Sequence, residues 1–164
     1  MNELPKINCC MKRNVVFVGV NTTLGEAVRL MVDKKVGTLP IVDETGLLAG
    51  VTTISDIIQI FLPDFVALLS DIDFVKDFGS LKYPSQETMN KEEKRLVSEI
   101  MAEPIAVEDD SSLIRALAIM HKHNLADLPV LKQGILVGIS SRVDIGRAFF
   151  ADWRSGSMID QEGN

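Results

Sequence analysis

Two seven-residue segments carry the residue types best suited to chemistry. They are Gly50-Val51-Thr52-Thr53-Ile54-Ser55-Asp56 and Gly138-Ile139-Ser140-Ser141-Arg142-Val143-Asp144. Each reads as a glycine, an apolar residue, two hydroxyls, two spacers and an aspartate. Each is expected to join a strand to the start of a helix. A hydroxyl there, with free amide N–H groups and the helix dipole, favours an anion. The aspartate repels phosphate but accepts two hydrogen bonds from a vicinal diol such as a ribose. Phosphate at Thr53 or Ser141 and sugar at Asp56 or Asp144 describe a nucleotide. Arg142 adds a cation able to pair with phosphate oxygens. Ile54-Ser55 stands at the matching place of the first motif, so the second motif is expected to mark the better site. The same hydroxyl-x-x-Asp spacing also serves as an ordinary N-cap pair.

The elements that would position these residues are themselves duplicated. Val18–Met31 matches Val107–Met120 in its polar turn, hydroxyl pair, Leu, Ala and Met. Leu39-Pro40-Ile41-Val42 matches Leu128-Pro129-Val130-Leu131, and Ile7–Met11 resembles Val97–Met101. Such an ordered series points to an internal repeat. Val15–Val18 and Ile105–Val107 read as short β-branched strands. Thr23 with Glu26 has capping-box spacing, and Leu24, Ala27, Val28, Leu30 and Met31 form a helical apolar face. Ser112 caps the second copy, over Leu113, Ala116, Leu117 and Met120. Gly37 is placed at the first helix end. Leu39–Val42 and Leu47–Thr52 read as strands around the turn Asp43-Glu44-Thr45-Gly46, with Lys132-Gln133-Gly134 as the shorter equivalent. Pro40 sits near a strand start, where its missing N–H is tolerable.

The expected organisation is a repeat over residues 5–60, a helical insert and linker over 61–95, a second repeat over 96–150 and a polar tail over 151–164. Within the insert, Phe61, Phe65, Leu68, Leu69, Ile72, Val75 and Phe78 have near-helical spacing, and Lys82–Asn90 reads as a loop. Lys91-Glu92-Glu93-Lys94-Arg95 mixes signs and reads as a solvated helix face.

The chain has 164 residues, is 46% hydrophobic and 24% charged, and carries a net charge of −6. That is enough to bury a core but offers no basic stripe, which argues against nucleic acid. No signal peptide and no run of about 18 apolar residues is present, so no membrane role is expected. The adjacent Cys9 and Cys10 read as reduced thiols of a cytoplasmic protein. His121 and His123 fall on different sides of a helix, unsuited to one metal ion. Met31 and Met120 read as core residues.

In the order of its motifs the chain resembles the cystathionine-β-synthase-type (CBS) domain, present as a tandem pair called a Bateman module. The residues that carry the resemblance are Ile100-Met101, Leu39-Pro40-Ile41-Val42-Asp43, Leu128-Pro129-Val130 and the two Asp-ended motifs. The resemblance implies an α/β (α+β) fold of two βαββα-type repeats in a pseudo-twofold disc with two clefts. It implies that these clefts take adenosine nucleotides, with Thr53 or Ser141 at phosphate and Asp56 or Asp144 at ribose. Main chain at Val15–Val16 and Pro104–Ile105 would line the base. Gly37–Thr38 and Ala126–Asp127 would close the clefts. Thr38 and Asp127 stand where some relatives carry a basic residue. Asp127 would repel a polyphosphate, so a monophosphate such as AMP fits better than ATP.

The expected function is a stand-alone regulatory sensor that binds AMP, or alternatively ADP, ATP or S-adenosylmethionine, with no required cofactor. It would form a homodimer and act through a regulated protein. An interaction or dimerisation module with empty clefts is the alternative. No Ser-His-Asp, Cys-His or metal-ligand spacing suggests an enzyme.

Overall fold

A computed structural model describes residues 5–62 and 83–151. The duplication is visible as two three-stranded sheets, each with its own helices. In the first half β1 (Val18–Gly19), α1 (Leu24–Lys34), β2 (Thr38–Val42), β3 (Leu48–Thr53) and α2 (Ile54–Gln59) follow in order. After the insert comes α3 (Gln86–Glu93). The second half repeats the pattern as β4 (Val107–Glu108), α4 (Leu113–Lys122), β5 (Asp127–Lys132), β6 (Ile135–Ser141) and α5 (Arg142–Phe149). β2 is central, parallel to β1 and antiparallel to β3, and β5 plays the same part between β4 and β6.

The capping expectations are met. Thr23 and Glu26 form a reciprocal capping box at α1, and Ser112 accepts from the Arg115 amide at α4. Leu24, Ala27 and Met31 are buried on α1, as are Leu113, Ala116 and Met120 on α4, so both methionines are core residues. Gly46 and Gly134 adopt φ of +86° and +83° in the two hairpin turns. That left-handed backbone favours glycine, which has no Cβ to clash.

The prolines lie deeper in the sheet than expected, fully within β2 and β5. Pro40 is opposite Val51, and Pro129 is opposite Ile139. Val51 and Ile139 turn their own backbone groups away, toward Ala102 and Lys12 respectively. These are therefore non-hydrogen-bonded pairs, and each proline nitrogen faces the opposite side. β1 and β4 start only beyond it, pairing from Ile41 and Val130 onward, so no ladder bond is lost.

Three local expectations are corrected. The first strands are shorter than read: pairing begins at Val18 and Val107, because β2 and β5 offer a parallel neighbour only there. Gly37 does not end α1; Lys35 does, in the left-handed conformation at φ 55°, and Asn124 at φ 51° follows α4. Lys82–Asn90 is not wholly a loop, because α3 starts at Gln86, capped by Ser85. α3 buries no residue and is held instead by polar contacts, including a 2.7 Å bond from Arg29 on α1 to Glu93. The expected apolar insert helix from Phe65 to Phe78 and the tail beyond Ala151 lie outside the described residues.

The two halves exchange their leading segments. Ile7 and Met11 pack into the core of the second half, with Leu113, Leu128, Val130 and Ile145. Val97 packs into the core of the first half, with Leu24, Leu39, Ile41 and Ile57. Backbone pairing shows the same crossing: Ile7 donates to Ser111, and Val97 donates to Thr22. Lys12 exchanges both hydrogen bonds with Ile139, while Ala102 exchanges both with Val51. Each motif is therefore flanked by chain from the other repeat. Glycines 50 and 138 permit this approach, since a Cβ at either would collide with Met101 or Met11.

Candidate functional site

A cleft of about 510 Å³ opens where the halves meet. Thr53 and Asp56 line it from the first repeat together with Gly37 and Thr38, and Ile105, Ala126 and Asp127 line it from the second. Seven of the residues singled out in the sequence thus meet in one cavity. Pro104 immediately precedes Ile105 but does not itself line the space.

The chemistry at Thr53 is set by its helix cap. The Thr53 amide and hydroxyl donate to Oδ2 of Asp56 at 2.7 and 2.8 Å, and the Asp56 amide donates back to the hydroxyl at 3.2 Å. Ser141 and Asp144 repeat this box, with 3.0, 2.7 and 3.1 Å for the same three bonds. The N-cap role is therefore real in both copies. It occupies one carboxylate oxygen, while Oδ1 of each aspartate accepts no hydrogen bond from the described residues. A half-buried carboxylate oxygen at a cleft can accept from a sugar diol. The first amides of α2 and α5 are also engaged, Ile54 to the Gly37 carbonyl and Arg142 to the Ala126 carbonyl. That pins Gly37–Thr38 and Ala126–Asp127 against the helix starts.

Ser141, Arg142 and Asp144 hold the corresponding positions of the second repeat, at the junction of β6 and α5, and do not line this cavity. Val15 and Val16, half-buried, follow Lys12 in the segment that crosses to Ile139. The structure gives Arg142 a task not foreseen in the sequence. Its Nε donates to the Leu125 carbonyl at 2.7 Å and its Nη2 to the Met120 carbonyl at 3.1 Å. The guanidinium thus caps the C-terminal end of α4, where a cation also suits the dipole.

The cation beside the second motif is instead Lys12, whose Nζ lies 3.3 Å from Oδ2 of Asp144. Burial pushes the Asp144 carboxyl up, but the Ser141 hydroxyl and amide together with Lys12 more than offset this and hold it below its usual range. Sequence reading missed Lys12 and, at the first cleft, Glu103. The matched Ile7–Met11 and Val97–Met101 pentapeptides, extended by two residues, place Lys12-Arg13 opposite Ala102-Glu103.

Asp127 accepts a 2.8 Å hydrogen bond from the Thr38 hydroxyl. Cys9 and Cys10 are both free, and burial pushes the Cys10 thiol up. Among the described residues no three His, Cys, Asp or Glu side chains group to hold a metal ion, and no helix is long and apolar enough to cross a membrane. A second cavity, of about 350 Å³ between α1, α2 and α3, is largely apolar and includes Val28, Ile57 and Phe61.

Known proteins share this arrangement. The CBS domain family model matches residues 6–63 and 97–151. The uncharacterized protein MJ1404 of Methanocaldococcus jannaschii is 31% identical over 96% of the chain, which spans 34% of that protein's length. A CBS domain-containing protein of Dictyostelium discoideum is 28% identical over 82% of the chain and 84% of its own length. Among solved structures, the CBS-pair protein CBSX2 of Arabidopsis thaliana superposes with a TM-score of 0.71 at 24% identity, covering 93% of this chain and 99% of that one. CBSX2 has also been solved in complex with AMP, and the CBS pair of protein MJ0100 with 5′-methylthioadenosine and S-adenosyl-L-methionine. Two matched repeats, the shared fold and the duplicated capping boxes place this chain in the CBS domain family, as a tandem pair.

Proposed function

We propose that the chain is a regulatory module that senses an adenosine-containing ligand in the clefts between its repeats and acts by binding rather than turnover. The observation that carries this reading is the duplicated box: each motif turns one carboxylate oxygen to its own helix cap and leaves the other without a hydrogen-bond donor among the described residues. The AMP complex of CBSX2 and the adenosyl ligands of MJ0100 support adenosine as the shared moiety. An AMP-type monophosphate belongs at the second motif, where Lys12 supplies the cation that Arg142 was expected to supply. Any response requires different affinities for two arrangements of the repeats, since equal binding shifts nothing. A partner protein in the cytoplasm would read the shift.

Titration calorimetry with AMP, ADP, ATP and S-adenosylmethionine tests this reading. AMP should give a saturable heat that Asp144→Ala weakens more than Asp56→Ala. No heat and no melting shift with any of the four would refute it.

The module is also proposed to work as a homodimer. Val32, Ile58, Ile114 and Val143 are exposed, one on each of the four repeat helices. Contiguous apolar surface marks an interaction site, and these four side chains are the ones proposed to form it. Light scattering should give twice the chain mass, and a monomer at micromolar concentration would contradict it.

A further inference from the structure

The two clefts implied by the duplicated motifs differ in the charge of the chain that flanks them. The first is lined by three carboxylates, Asp56, Glu103 and Asp127, and by no Lys, Arg or His among the described residues. The ladder pairings identify the corresponding positions in the other half. Ala102 bonds to Val51 as Lys12 bonds to Ile139, so Ala102-Glu103 corresponds to Lys12-Arg13. Thr38 and Asp127 likewise occupy the same place in β2 and β5. Two cations on one side are replaced by an alanine and a glutamate on the other.

We infer that the first cleft is selective for adenosine ligands lacking phosphate, with a neutral thioether or a cationic sulfonium at the 5′ carbon. Glu103 and Asp127 are its specificity-determining residues. This rests on the reading of the clefts as adenosine sites and narrows it. Asp56 keeps its part as diol acceptor in both cases, because a ribose brings no charge. A 5′ phosphate would add negative charge to a cavity that already holds three carboxylates and has no counter-ion, and like charges placed together oppose binding. A sulfonium with an ammonium nearby, as in S-adenosylmethionine, gains from the same field. The chain would then carry two unlike ligands, a monophosphate at the Lys12 side and a phosphate-free nucleoside at the Glu103 side.

Calorimetry on the full-length Asp144→Ala protein, in which the second cleft is impaired, reads the first cleft with three probes: AMP, 5′-methylthioadenosine and S-adenosylmethionine. The expected order is S-adenosylmethionine at least as tight as methylthioadenosine, with AMP weaker by about tenfold or more, a gap of about 1.4 kcal/mol. Only S-adenosylmethionine should weaken with added salt, because screening acts on charge. Adding Asp56→Ala should abolish all three. Glu103 is exposed, so Glu103→Lys leaves the fold intact, and it should bring AMP level with methylthioadenosine. AMP binding the Asp144→Ala protein as tightly as methylthioadenosine would overturn the inference while leaving the adenosine reading in place. An AMP affinity unmoved by Glu103→Lys would overturn it equally. No binding of any probe to the unsubstituted chain would remove the adenosine reading itself, and the inference with it.

Discussion

The Thr38 hydroxyl donates a 2.8 Å hydrogen bond to Oδ2 of Asp127, joining the residues that precede the buried Leu-Pro step in each repeat. Thr38 is buried and Asp127 half-buried at the first cleft. The bond therefore couples the starts of β2 and β5 across the pair, directly beside the cavity a ligand would fill.

That coupling predicts the behaviour of Thr38→Asp. The substitution sets a second carboxylate against Asp127 in a half-buried position, where like charges are poorly screened. The melting temperature should fall at neutral pH and recover in part on acidification, as one carboxyl takes up a proton. Asp127→Asn in the same chain should restore most of the loss at neutral pH. Thr38→Val, which only removes the bond, should cost about 1 kcal/mol. A Thr38→Asp protein as stable at pH 7 as at pH 4 would show that the two positions are not in contact.

Arg142 gives a second prediction, because its guanidinium holds two carbonyls at the end of α4 rather than facing the cleft. Arg142→Ala should lower stability by about 1.5–3 kcal/mol with no ligand present, the range for hydrogen bonds to a charged donor. Amide exchange should accelerate near His121–Leu125. Arg142→Lys should restore little, because an ammonium cannot reproduce the planar fork. If Arg142→Ala left ligand-free stability unchanged and weakened only AMP binding, the capping role would be wrong.

How much of this was legible in the sequence follows from what each feature depends on. The duplication, the capping boxes and the buried faces of α1 and α4 rest on local spacing and were readable. The last residues of α3, Lys91–Glu93, were readable as a helix face, but its start at Gln86 was not, because the helix buries nothing; its stabilising partners are Ser85 before it and Arg29 on a distant helix. The exchange of leading segments was also hidden, since nothing local distinguishes Met11 packing on Gly138 from Met11 packing within its own repeat. The misplaced role of Arg142 has the same origin. Its neighbours in sequence are the motif, but its neighbours in space are the carbonyls of Met120 and Leu125, about twenty residues earlier. Lys12 reaches Asp144 only because its segment crosses to the other half.

The exchange yields a prediction of its own at Gly138. An added Cβ there would meet the side chain of Met11 and the Lys12 carbonyl, both on the crossing segment. Gly138→Ala should therefore cost about 1–3 kcal/mol, typical of overpacking. Met11→Ala alone should also destabilise, by emptying a buried position. Because the two changes act at one contact, the double variant should be more stable than the sum of the single losses predicts. Strict additivity in denaturant melts would mean that Met11 does not rest on Gly138.

The last prediction concerns acid. Asp144 is held below the usual carboxylate range: burial acts upward, but the Ser141 hydroxyl, its amide and Lys12 act downward and prevail. A carboxyl depressed by folding contributes stability above its unfolded value, about 3.9, and loses it as pH falls through the folded value. Lys12→Ala removes one of the downward influences, so the folded value rises toward the unfolded one. Carboxyl carbon NMR should show the Asp144 midpoint below about 3.9 in the parent chain and higher in Lys12→Ala. Going from pH 5 to pH 3, the parent should lose more stability than Lys12→Ala, because it has more linked stability to lose. An Asp144 midpoint indifferent to Lys12→Ala would show that the 3.3 Å pair does not persist in solution. The cation at the second cleft would then have to come from elsewhere.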